Sequence, residues 1–311
     1  MLDVQHLRDL LVDPEAHPRG QPHLSAASGL VRAHGWLYLV ADDEHHLGVL
    51  AESADDRQHG APVALHRLFD GDLPNRKGKR KDAKPDLETL TALPPMPGCP
   101  FGALLALGSG SRPTRERGVL LALDAQGALT GRMAHISLSA LYQPLRKRFK
   151  DLNIEGAFFT SGELRLLQRG NKGDARNACV SYDWNLLARW LADQSLSAPP
   201  AKATFQIELG EVDGVPLGLT DGAALSDGAW VFSAVAENTD NSFADGGVPG
   251  SAVGVVAPDG TLRQLHRLRG APKVEGIAVQ RQGDDLTLTL VTDADDPDIA
   301  SQLLQTVIAL A

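Results

Sequence analysis

Short apolar runs broken by Gly, Asp, Asn and Pro dominate the chain, and few stretches repeat apolar residues at helical spacing. Runs of this length between turn-forming residues predict β-strands. The clearest fall at residues 36–41, 103–107, 118–123, 163–168, 229–235, 251–256 and 286–292. Two segments break the texture. Residues 139–149 suit a short helix that Pro144 should interrupt, and Trp184, Leu187, Ala188 and Leu191 share one helical face ahead of Asp193. Both read as insertions into an all-β chain.

A weak unit recurs along this pattern: a small or acidic residue beside Gly or Thr, a turn, then a strongly apolar strand ending in polar residues. Ser28-Gly29-Leu30 leads to residues 37–43, Leu87-Glu88-Thr89-Leu90 to 104–109, and Ile154-Glu155-Gly156-Ala157 to 164–169. Thr220-Asp221-Gly222-Ala223 leads to 230–233, and Val274-Glu275-Gly276-Ile277 to 286–293. Repeats several tens of residues apart indicate a radial architecture. The first four units each hold two further strand candidates. The fifth holds one, at 302–310, and residues 4–12 can supply the missing strand from the other end of the chain. The expectation is an all-β, five-bladed β-propeller, a single domain over residues 1–311. Strands from both termini close it, so no sheet edge is left open. A six-bladed ring and an open sandwich are the alternatives.

In a propeller the first strand of each blade lines the axis. The turns leading into those strands share a face with the turns between second and third strands. The lead-in positions are Ser28, Glu88, Glu155, Asp221 and Glu275, taken here to be in one phase. The second-to-third turns bring Asp42 and Asp43, Ser111 and Arg112, Asn171 and Lys172, Glu237 and Asn238, and Asp293, Asp295 and Asp296. Carboxylates converging on a narrow funnel repel one another, and a hard divalent cation, calcium first, would neutralise them with oxygen ligands drawn from several loops. Its expected ligands are Glu88, Glu155, Asp221, Glu275, Asn238 and Asp293. The alternative is ion pairing by Lys84, Lys150 and Lys273, each just upstream of a lead-in acid. The acidic stretch 293–298 is no EF-hand, because Pro297 takes a ligand position and the invariant Gly is missing.

Composition narrows the choice of partner. With 39 acidic against 30 basic residues the formal charge is −9, unlike a general nucleic-acid binder. Basic residues still cluster at 76–84, 112–117 and 146–150, all on the funnel face, with no interleaved aromatics for base stacking. This rim suits a small anionic or ester ligand, although the 76–84 run taken alone reads as a solvated loop. Cys99 and Cys179 lack CxxC spacing, and the adjacent His45 and His46 point to opposite faces of a strand, as surface histidines. No apolar run is long enough to span a bilayer, and residues 1–12 carry acids where a signal peptide carries basic charge. A cytoplasmic protein without membrane or nucleic-acid partners is expected. GxSxG, Walker A, HExxH and GxGxxG signatures are missing from the sequence.

Through Ser28-Gly29-Leu30, residues 37–43 and the Glu-Gly lead-ins at 154–157 and 274–278, the sequence resembles the phytase-like β-propeller proteins, described as having esterase-like activity. It departs from their pattern at Glu88-Thr89, where Glu-Gly would be expected. The resemblance implies a funnel-face site with calcium and phosphoester or ester substrates. The expected activity is metal-assisted hydrolysis, with Glu155 and Glu275 as the catalytic carboxylates and Arg112, Lys172, Asn171 and Lys84 holding the substrate. A non-catalytic ligand-binding or protein-interaction propeller and a sugar-lactone hydrolase are the alternatives.

Overall fold

The computed structural model describes residues 1–52, 60–171, 173–238, 247–270 and 273–310. Its strands form five antiparallel sheets. After β1 (Gln5–Asp9), blade one contains β2 (Ala27–Ala33), β3 (Trp36–Ala41), β4 (His46–Ala51) and β5 (Ala64–Arg67). Blade two contains β6 (Leu87–Leu93), β7 (Ala103–Gly108), β8 (Arg117–Leu123) and β9 (Leu129–Ser137). Blade three contains β10 (Ile154–Thr160), β11 (Glu163–Gln168), β12 (Ala178–Asp183) and β13 (Ala203–Gln206). Blade four has a fifth strand, with β14 (Glu211–Val212) ahead of β15 (Val215–Ala224), β16 (Trp230–Asn238), β17 (Gly247–Val256) and β18 (Leu262–Arg267). Blade five is β19 (Val274–Gln282), β20 (Asp285–Thr292) and β21 (Gln302–Ala309), completed by β1, which pairs with β21 from Gln5↔Gln305 to Asp9↔Gln302. The inner strands touch in the order β2, β6, β10, β15, β19 and back to β2, so the ring has five blades and closes through both ends of the chain.

The middle strands read as unbroken apolar runs because each is buried on both faces. Along β3, Leu37 and Leu39 pack into the core shared with blade five, while Tyr38 and Val40 pack into the core shared with blade two. Alternation of side chains across a strand thus supplies two inter-blade cores at once.

Every inner strand carries a register shift at the same place, leaving Ser28, Glu88, Glu155, Thr220 and Glu275 unpaired. A bulge turns one side chain out of the strict alternation and re-aims it. Blade four corrects the expected phase: its lead-in residue is Thr220, and Asp221 occupies the next position, matching Gly29, Thr89, Gly156 and Gly276. Space is scarce in that layer. A Cβ on Gly156 would lie 2.7 Å from the Asp221 Cα, and one on Gly276 would lie 3.0 Å from the Ser28 carbonyl oxygen.

Among the described residues three α-helices sit on this frame: α1 (Lys77–Ala83), α2 (Ser139–Arg148) and α3 (Trp184–Ala192). The first replaces the solvated loop expected at 76–84, because Arg80 and Lys84 are buried against carboxylates. Helix α2 runs through Pro144 without a break. That proline is exposed, so the carbonyl that loses its partner, on the exposed Ala140, faces water. Buried Leu141, Tyr142 and Leu145 on the other side hold the helix to the core. Among the described residues, no helix is long and apolar enough to cross a membrane.

Candidate functional site

One end of the axis opens into a cavity of about 310 Å³ to which all five blades contribute. Of the five bulge residues only the three glutamates, Glu88, Glu155 and Glu275, line it. Ser28 and Thr220 instead donate their hydroxyls to the next blade, Ser28 to the Leu87 carbonyl at 3.0 Å and Thr220 to the Val274 carbonyl at 3.0 Å. The same backbone position thus ties blades together where it carries a hydroxyl and faces the cavity where it carries a carboxylate.

Two cation-centred clusters occupy the cavity wall. In one, Lys84 lies against Asp42 and Asp86, at 3.0 Å from the latter, and Arg115 Nη1 donates to Asp86 at 2.7 Å. Asp86 sits at φ +58°, a left-handed conformation that Asp tolerates better than most residues, and this aims its carboxylate at both cations. Burial would raise its pKa, but Lys84 and Arg115 outweigh burial and hold it below the usual range. In the other cluster Lys273 Nζ lies 3.2 Å from Glu275, 3.1 Å from Asp293 and 3.1 Å from Asp295. Arg169 joins this group, donating to Glu155 at 3.3 Å and to Glu237 at 2.6 Å, and lying 3.5 Å from Glu275.

Among the described residues the cavity is lined by eight carboxylates (Asp42, Asp86, Glu88, Glu155, Glu237, Glu275, Asp293, Asp295) and five basic side chains (Lys81, Lys84, Arg115, Arg169, Lys273), an excess of three acids. Burial therefore raises several pKa values. Glu155 is pushed up to about 8 by burial, with Arg169 pulling down and Glu275 adding repulsion. Asn153 donates its amide to the same carboxyl. Glu88 is driven well above the usual carboxylate range by burial and by the charges of Glu155 and Asp86. It makes no hydrogen bond and no ion pair with any described residue. Its carboxylate oxygen meets oxygens of Asp42 and Asp86 in a group spanning no more than 4.8 Å, a donor set that fits a hard cation. Glu275 accepts no hydrogen bond at either oxygen despite its two cationic neighbours.

The sequence-derived candidates divide on inspection. Glu88, Glu155, Glu275, Asp293, Asn171, Asn238 and Lys84 all line the cavity. Lys172 lies outside the described residues. Arg112 stands apart, on the rim, where its half-exposed guanidinium pairs with Asp82 at 3.5 Å. Asp221 is also apart. Its buried carboxylate accepts backbone N–H groups from Gly222 at 2.7 Å, from Ile277 at 3.0 Å and from Leu30, so it joins three blades beneath the cavity. Lys150 remains exposed, and Arg169 supplies the cation expected of it in blade three. His46 is buried, 3.7 Å from Glu44, and is no surface residue, while His45 is half-exposed as expected.

Asp86 and Arg169 escaped the sequence reading because their signal is positional. Asp86, Asn153, Gly218 and Lys273 all stand two residues before a bulge. At Gly218 the missing side chain makes room: a Cβ would lie 2.9 Å from Arg169 Cγ, so glycine lets the arginine cross into the cavity.

Fold and site together define a five-bladed β-propeller with a charged axial cavity. The chain belongs to the DUF6929 family, described as a family of unknown function, whose profile matches residues 23–308. No curated protein matches the sequence. Among solved structures, the catalytic domain of the GH62 α-L-arabinofuranosidase of Coprinopsis cinerea is similar, with a TM-score of 0.51 and 11% identity over 98% of this chain and 97% of that one. The PQQ-bound aldose sugar dehydrogenase of Streptomyces coelicolor is similar with a TM-score of 0.50 and 12% identity over 98% of each chain. At such identities the likeness is one of fold, and it supports the propeller part of the phytase-like resemblance.

Proposed function

We propose that the axial cavity binds a divalent cation, calcium first, beside Glu88, and that the protein is a metal-assisted hydrolase of a small uncharged ester or lactone. The observation that carries this reading is Glu88: an acid that makes no hydrogen bond or ion pair with a described residue, within 4.8 Å of two further carboxylates. A cation held there supplies Lewis acidity and a more acidic water. Glu155, protonated near neutrality, is the proton donor to the leaving oxygen. Glu275, whose pKa burial raises while Lys273 and Arg169, both within 3.5 Å, pull it down, is the better candidate to accept a proton from water. A phosphoester is less favoured than an uncharged ester, because Lys84, Arg115, Arg169 and Lys273 are already held by carboxylates.

A second reading has its own observation. Lys84 already occupies the Asp42 and Asp86 side of the acidic group, as a built-in cation would in a non-catalytic binding propeller. Thermal midpoints of the wild type, Glu88→Gln and Lys84→Met with calcium, magnesium, manganese or EDTA separate the two, since a ligand bound only by the folded state raises its midpoint. Calcium should stabilise the wild type and lose that effect in Glu88→Gln. If cations stabilise only Lys84→Met, the built-in-cation reading stands and the hydrolase reading falls.

A further inference from the structure

Four blades present charged or polar side chains to the cavity, and blade four does not do so at the matching positions. Two residues before the bulge, where blades two, three and five place Asp86, Asn153 and Lys273, blade four has Gly218. One step along the second strand, where blades one, three and five place Asp42, Arg169 and Asp293, blade four has Val235. Blade four also differs in its backbone. The two-residue strand β14 folds back on Val215 and Pro216 through a turn at Asp213 and Gly214, both at positive φ, and so lengthens the inner strand toward the mouth. That extension carries Val215, Pro216 and Leu217 into the cavity wall, and Ala175 from blade three also lines the cavity. Glu237 is the charged group from this blade, and Arg169 holds it at 2.6 Å.

We infer that the ligand has two unlike ends: a polar, uncharged ester or lactone group toward blades one, two, three and five, and an alkyl or aryl group lying on blade four. This deepens the hydrolase reading and rests on it for the reacting group. Val215, half-exposed at the mouth, sets how much apolar surface the wall offers, whereas Leu217 and Val235 are buried and fix its position. Glu237 and Asn238 are the polar groups of this blade; against Val215, Pro216, Leu217 and Val235 a fully hydroxylated sugar lactone would place hydroxyls without a side-chain partner, and removing polar groups from water without new hydrogen bonds is costly. Burial of each methylene on an apolar surface, by contrast, strengthens binding.

The test separates binding from turnover. Five-membered lactams with ring-attached alkyl chains from methyl to hexyl mimic the lactones but resist hydrolysis, and their dissociation constants can be measured by calorimetry on the wild type and Val215→Ser. Affinity should rise about threefold to fourfold per methylene until the wall is covered. Val215→Ser should lose several-fold affinity for the long-chain members and keep that for the methyl member, in a protein that still unfolds cooperatively but melts earlier, because Val215 also packs against the core around Val212 and Leu217. A flat series, an equal loss for every member, or no binding of any lactam overturns the inference. Turnover of the matching lactones is measured in parallel. Chain-dependent lactam binding without turnover of any lactone removes the hydrolase reading and leaves the two-ended ligand standing; turnover indifferent to chain length does the reverse.

Discussion

Glu155 shows how one buried side chain links the fold to acidity. Its pKa is 4.5 in the unfolded chain and about 8 in the folded one, raised chiefly by burial. The folded state therefore binds more protons than the unfolded state between these values. Its contribution to stability is complete below about pH 4.5 and is lost as pH rises through about 8. Glu155→Gln keeps an acceptor for the Asn153 amide and removes the titration, so the decline of the melting midpoint between pH 5 and pH 8.5 should become shallower. Identical slopes in the two proteins would mean that Glu155 is ionised throughout. On the proposed hydrolase reading the same variant loses roughly 100-fold or more in kcat, the scale of general acid catalysis. The glutamates themselves were legible because bulge and acid recur together in three units. Asp221 was misphased because Thr220-Asp221-Gly222 reads like Glu155-Gly156 when only an acid beside glycine is sought; the ladder alone shows which residue is unpaired.

At the scale of elements, strands were easier to read than the site. Middle strands are buried on both faces, so their apolar runs stand out, and even the helix at 139–148 was placed to within a residue. Helix α1 was hidden because it has a basic sequence with no apolar stripe. Its hold is ionic: Arg80 Nε lies 3.1 Å from Asp43, which also faces Arg19 at 3.4 Å, and Arg19 reaches Glu44 at 2.5 Å. Buried His17 completes the group, 3.0 Å from Glu44. Burial, then Asp42 and Glu44, pushes Asp43 up to about 7, so this acid depends on its two arginines for its charge. Arg80→Ala leaves it with one, and breaking a buried pair in this way costs on the order of 3 kcal/mol. Denaturant melts near pH 7.5 should show that loss, with a smaller one near pH 5.5, where Asp43 takes a proton. An unchanged midpoint at both values would mean that α1 is not held through Arg80.

For the whole molecule, the ring depends on one noncovalent seam. Removing residues 1–9 deletes β1, exposes the β21 edge and takes Leu2, Val4 and Leu7 from the cores on either side of blade five. At the usual transfer energies for partly buried aliphatic side chains the loss is roughly 3–5 kcal/mol. The truncated chain should melt earlier and, because an open edge pairs with other chains, elute as larger species on size exclusion. A truncated protein with native stability and size would show that the four remaining blades and a three-stranded fifth suffice. Five repeated units and a strand missing from the last made this seam readable from sequence alone.

Beneath the acidic cavity, Asp221 lies between it and an apolar hollow at the opposite end of the axis, and the two spaces have no lining residue in common. The layer of Asp221, Gly156 and Gly276 between them is packed too closely to admit one further carbon atom. A guest in the charged cavity therefore has no passage along the axis through that layer. On the proposed hydrolase reading, the newly formed acid would retreat past the very charges that its neutral parent met on arrival.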